Sequence, residues 1–158
     1  MKTLVYTIAL FSILFIGSCS HQTVTLPITG AGSWVQDDTL HPVVSFKYDT
    51  FNSTSSRKYM EAIDTTGFNE IRFVFSGSLP VTNGDIPIVS SSPTGNQVSI
   101  EVMNLAFFSG AATGGNSSQK VSVTIVNNKL RLTGSNIRIQ EDYSGRYHTI
   151  QSFDLMQQ

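Results

Sequence analysis

"EIRFVFS", residues 70–76, decides the fold: in an extended chain Ile71, Phe73 and Phe75 fall on one side, and Glu70, Arg72 and Ser76 on the other. Apolar residues at every second position mark a strand with one buried face. The same alternation recurs at Val44, Phe46 and Tyr48, at Val98, Ile100 and Val102, at Val121, Val123 and Ile125, at Leu130 and Leu132, and at Phe153 and Leu155. Ile137 and Ile139 continue the Leu132 face past a kink at Gly134. No stretch of comparable length has the helical period. Only Arg57 to Ile63 is open to either reading, because Tyr59, Met60 and Ile63 also fit one helical turn.

Turn residues punctuate these runs. Val126-Asn127-Asn128-Lys129 is a two-residue hairpin of type I′, since asparagine tolerates the positive φ that such a turn needs twice. Asn83-Gly84 and Thr94-Gly95-Asn96 mark two further reversals, and Gly110 to Ser118 a longer loop. Pro87 has no backbone donor, so Asp85 to Val89 is expected to be an edge strand or a bulge. Short connections favour antiparallel pairing, because parallel strands need long crossovers. The expectation is an all-β domain over residues 31–158, an antiparallel β-sandwich of about eight or nine strands, with a small lipocalin-like barrel as the alternative.

Composition narrows the partners. Charged residues make up 13% of the chain, against a typical value of about 25%. The formal net charge is −1, and the basic residues are scattered singly from Lys47 to Arg146. A phosphate-binding face needs clustered Lys and Arg, so no nucleic acid partner is expected. With 40% hydrophobic and 10% aromatic residues, the chain has enough apolar surface to fold.

The amino terminus reads as a leader. Met1 and Lys2 precede thirteen uncharged residues, Leu4 to Ile16. As a helix these rise about 20 Å, short of the roughly 30 Å hydrocarbon layer, which suits a signal peptide and not a span. Ile16-Gly17-Ser18-Cys19 follows: an aliphatic residue, two small ones and the only cysteine. This resembles the lipobox of bacterial lipoproteins. The resemblance implies cleavage between Ser18 and Cys19, removal of residues 1–18, diacylglycerol on the Cys19 thiol, a fatty acyl chain such as palmitate on the freed amine, and a lipid-anchored linker over 19–30. The absence of Asp after Cys19 points to the outer membrane of the cell envelope. A single cysteine forms no internal disulfide, and His21 is the only other ligand type beside it.

Chemistry is sparse in the body. Asp37 and Asp38 precede His41, with Asp49 on the next run, and read as a polar turn before His41-Pro42. His21, His41 and His148 form no metal-binding spacing, and no G-x-S-x-G turn is present. No catalytic residue, metal or cofactor is assigned. Gly32-Ser33-Trp34 resembles the G-x-W signature of lipocalins, which implies a Trp closing one barrel end and stacking on an arginine, Arg146 or Arg138. Phe107-Phe108 and Tyr143 with Tyr147 lie off the expected core face and are candidates for a recognition surface. The reading is a lipid-anchored envelope protein with a binding or structural β domain. Its ligand is a protein, a glycan or a small apolar molecule; the alternatives are a lipocalin-like carrier and an envelope hydrolase. The hydrolase requires His41 or His148 to meet both a serine or water site and a carboxylate.

Overall fold

A computed structural model describes residues 30–50, 57–90, 92–104, 108–112 and 119–158. The leader, Cys19 and the linker before Gly30, together with Phe107 and residues 113–118, lie outside the described residues; residues 110–112, expected to open the glycine-rich loop, are strand instead, because their backbone pairs with 139–141. Among the described residues no helix is long and apolar enough to cross a membrane.

Ten strands follow in order: β1 (Gly32–Gln36), β2 (Thr39–Thr50), β3 (Arg57–Asp64), β4 (Asn69–Ser76), β5 (Gly84–Pro87), β6 (Val98–Asn104), β7 (Phe108–Ala112), β8 (Lys120–Val126), β9 (Lys129–Glu141) and β10 (Tyr147–Met156). They form one sheet in the order β10–β1–β2–β3–β4–β6–β7–β9–β8–β5, with β9 also paired to β10. All named pairings are antiparallel. The sheet therefore returns on itself. The all-β antiparallel expectation holds, and the nearly closed sheet is barrel-like, with opposed walls that pack as in a sandwich.

Closure depends on the long strand β9. One of its edges pairs with β10 from Arg131 to Gln140. The other is shared: Lys129 to Thr133 pair with β8, and Ile139 to Glu141 with β7. The ambiguous segment from Arg57 is strand β3, paired on both sides, because its neighbours β2 and β4 supply the ladder bonds that a single helical turn would lack. β5 ends the sheet order, as Pro87 implied, and beyond it Val89 N donates to Val98 O at 2.9 Å.

An eight-strand ring is just wide enough for side chains to fill. Here Phe46, Met60, Phe73, Ile100, Leu132 and Phe153 are among the buried residues of the interior. Phe73 meets Phe46 edge-on at 6.1 Å and Phe153 at 5.0 Å between ring centroids. Fully burying one such side chain contributes roughly 1.5–3 kcal/mol. Two glycines permit this packing. A Cβ on Gly134 would lie 2.6 Å from Phe153 Cζ, and one on Gly32, where φ is +106°, would lie 1.9 Å from the Asp154 carbonyl oxygen.

The expected type I′ turn at Asn127-Asn128 and the polar turn at Asp37-Asp38 both have the positive φ pair of type I′. Asn127 and Asn128 have φ of 51° and 62°, and Asp37 and Asp38 have 47° and 64°. The Asp37-Asp38 turn joins β1 to β2, whose pairing runs from Gln36–Thr39 downward. It lies at the same end of the ring as the β3–β4 and β9–β10 turns.

Candidate functional site: the polar mouth of the barrel

At that end the inward-facing positions change from hydrocarbon to polar. In β4 the inward row Phe75, Phe73, Ile71 ends in Asn69, and in β6 the row Val98, Ile100, Val102 ends in Asn104. The two meet across the strands, with Asn104 Nδ2 donating to Asn69 Oδ1 at 2.7 Å. Asn69 Nδ2 in turn donates to Asp64 Oδ2 at 2.5 Å.

Two irregularities turn both body histidines inward. Strict alternation from Phe46 places His41 outside, but β2 slips register against β3 between Val43 and Ser45. Val43 and Phe46 are both buried in consequence, and Val44, expected on the core face, is 53% exposed. Tyr48, expected beside it, is also exposed. With Val43 turned in, His41 is turned in as well. Its ring stacks on Trp34 at 4.8 Å and 12°. A second slip lies between Val35 and Gln36, where β1 skips Gln151 of β10, and Asn136 opposite has φ of 54°. The inward row of β10 therefore runs Leu155, Phe153, Ile150, His148. Bulges re-aim side chains in this way and are frequent beside functional sites.

His41, His148, Asn69, Asn104, Gln36 and Thr39 line a common cavity of about 260 Å³, with Asp37, Val102 and Met103 completing the wall. Each imidazole is held from behind by a carboxylate. His41 Nδ1 lies 3.2 Å from Asp64 Oδ2, and His148 Nδ1 2.5 Å from Asp37 Oδ2. A carboxylate only accepts, so the Nδ1 proton donates to it and Nε2 is left as the acceptor nitrogen. His148 Nε2 lies 4.0 Å from Glu141 Oε2.

Asp64 organises this end. It is 2% exposed and accepts from Thr66 N at 3.0 Å, Thr66 Oγ1 at 2.6 Å and the Asn69 amide. Burial by itself raises a carboxyl pKa, but hydrogen bonds from Thr66, Asn69 and His41 outweigh it and hold Asp64 at about 2. Asp37 ties its turn to β10 by accepting from Thr149 N at 2.9 Å, and Asp38 accepts from Gln151 at 3.2 Å. The Asp37-Asp38 pair is a turn, as expected. Asp49 lies at the far end of β2, away from it.

The arginine implied by the lipocalin resemblance is not the partner of Trp34. His41 takes that place, and Arg138 instead covers the Tyr147 ring at 3.4 Å. For the hydrolase reading, both histidines have a carboxylate, but among the described residues the cavity wall contributes a threonine hydroxyl and no serine. Among the described residues no group of three or more His, Cys, Asp or Glu is placed to hold a metal.

Two other features lie away from the mouth. A cavity of about 290 Å³ opens at the opposite end beside β5, where Asn83, Asp85 and Gln97 lie among turn residues. On the outer face, Arg72 Nε donates to Glu61 Oε1 at 2.9 Å and also pairs with Glu70. Burial, and then hydrogen bonding to Glu61 and its negative charge, push Glu70 up to about 7 against the pull of Arg72. Arg72 Cζ stands 5.1 Å above the Tyr59 ring, whose hydroxyl pKa is raised by burial and by Asp49 and Glu61. This is a compact ionic cluster on a wall. The mouth is a concavity.

Sequence reading missed Asn69, Asn104 and Asp64. A signal existed for the asparagines: each is the terminal polar residue in phase with an otherwise apolar face. The convergence of the histidines carried no such signal, because both bulges are set by pairing with other strands.

No family model, no curated protein and no solved structure matches the chain.

Proposed function

We propose that the chain is a lipoprotein of the cell envelope, anchored through Cys19, and that its barrel is a binding module whose ligand site is the polar mouth. The anchor is supported by the run from Met1 to Cys19, where two or more acyl chains provide stable attachment at about 0.8 kcal/mol per buried methylene. The binding role rests on one observation: two separate bulges bring His41 and His148, each with its own carboxylate, to a common cavity. Placing polar groups at inward positions costs stability unless they are used or paired.

A lipocalin-like carrier is the second reading, favoured by the nearly closed sheet and by Trp34 lying behind His41. The imidazole and amide lining favours a polar ligand over an apolar one.

Membrane fractionation and intact-mass analysis test the anchor. Wild-type protein is expected in the membrane fraction with acyl mass at Cys19, and Cys19→Ala protein in the soluble fraction. A wild-type chain that keeps Met1 and a free thiol refutes the anchor and leaves the mouth to be judged by ligand titration.

A further inference from the structure

We infer that the mouth takes a neutral polyhydroxylated ligand, the end of a saccharide, about one sugar ring in size. This rests on the binding reading above and narrows it to a ligand class.

The donor and acceptor pattern comes first. Gln36, Asn69 and Asn104 contribute amides, Thr39 a hydroxyl, and His41 and His148 imidazoles. The amides and the hydroxyl can both donate and accept, and each imidazole, its Nδ1 proton held by a carboxylate, adds an accepting Nε2. A sugar hydroxyl also does both, so vicinal hydroxyls pair best with groups of this kind. An anion needs donors alone, and a cation acceptors alone. The wall contributes no Lys or Arg among the described residues, and its one carboxylate, Asp37, is engaged with His148 and Thr149.

The groups are also held in place beforehand. Asn104 donates to Asn69, Asn69 to Asp64, and His41 to Asp64, so the charge sits behind a layer of neutral groups. Orienting side chains before the ligand arrives lowers the ordering cost of binding. Val102 adds apolar wall against which the C–H face of a ring can lie. The cavity, at about 260 Å³, is smaller than the usual range for drug-sized ligands, which fits one ring and not several.

Exposed aromatic rings stand on two turns at this end. Phe68, 60% exposed, is on the β3–β4 turn, where Phe68 N donates to Thr66 Oγ1 at 3.2 Å and Thr66 in turn binds Asp64. Tyr143, 92% exposed, is on the β9–β10 turn, which Gly145 N closes by donating to Glu141 O at 3.0 Å. An aromatic ring held out in water gains little for folding. It is a platform for stacking against a second sugar unit outside the cavity.

The protein contains its own reporter, since Trp34 is the only tryptophan and stacks on His41. Full-length chain in detergent is titrated with the methyl glycosides of glucose, galactose, mannose and N-acetylglucosamine, and separately with phosphate, acetate and tetramethylammonium. At least one glycoside is expected to change Trp34 emission saturably. Its affinity should fall at least tenfold in Asn104→Leu, and that of the matching disaccharide severalfold in Tyr143→Ala, a change on an exposed turn that leaves folding intact. If phosphate, acetate or tetramethylammonium binds and no glycoside does, the saccharide class is wrong and a binding mouth stands. Silence from every probe overturns both, as does glycoside binding that both variants retain at full strength.

Discussion

Replacing Glu70 by Gln should remove most of the pH dependence of stability between pH 5 and pH 8. In the folded chain the Glu70 carboxyl titrates at about 7, against an ordinary value of 4.5. The folded state therefore keeps a proton that the unfolded state has released. A raised carboxyl pKa of this kind contributes stability that is complete below 4.5 and is lost as pH rises through 7. The full difference corresponds to roughly 3 kcal/mol. Glu70 keeps 19% of its side-chain exposure and shares Arg72 with Glu61, so solvent screening brings the expected loss to about 1–2 kcal/mol. Glutamine has the same shape, carries no charge and can donate to Glu61 as the protonated acid does. Urea unfolding at pH 5 and pH 8 measures the effect. With a slope of about 1–3 kcal/mol per molar for a small protein, the wild-type midpoint should fall by roughly 0.5–1 M while that of Glu70→Gln stays nearly level. Every other ionisable group is common to both proteins, so the comparison between them isolates Glu70. A variant with the same slope as wild type would show that the two carboxylates do not share a proton.

Three further outcomes are expected. Asp64, held at about 2 against an ordinary 3.8, contributes stability that is present above 3.8 and lost as pH falls through 2; Asp64→Asn should therefore flatten the acid limb of thermal melts by about 2 kcal/mol. Gly134→Ala drives a Cβ into the buried Phe153 ring, and equilibrium unfolding should show a cost of about 1–3 kcal/mol. Gly32→Ala meets backbone, not a side chain, and should lower the melting temperature more than Gly134→Ala does in the same calorimetric scan.

Much of the strand pattern was local and therefore legible. Ile71, Phe73 and Phe75 are buried as their alternation implied, as are Val98, Ile100, Val102, Leu130 and Leu132. Asn127-Asn128 makes its turn because positive φ is a property of two residues and of nothing distant. The failure at Val44 has a non-local cause. Val44 was assigned to the core because alternation assumes an unbroken register, and the slip beside it depends on how β3 docks. The ring was equally hidden: neither the double use of β9 nor the pairing of β1 with β10 leaves a mark in either strand's own residues. The site inherited both difficulties. Its asparagines were readable as polar ends of apolar rows, but its histidines reached the cavity only through bulges.

The position of β1 between β2 and β10 ties the finished shape to strands far apart in the chain. A chain leaving the ribosome carries Gly32–Gln36 out well before the strand that fills its second edge, Tyr147–Met156. Pairing across so long a stretch of chain is slow, and an unfilled edge invites strands from other molecules. A premature stop codon before Tyr147 would thus leave no slightly shorter barrel. It would leave an open sheet with two raw borders, β1 and β9, and a mouth without His148.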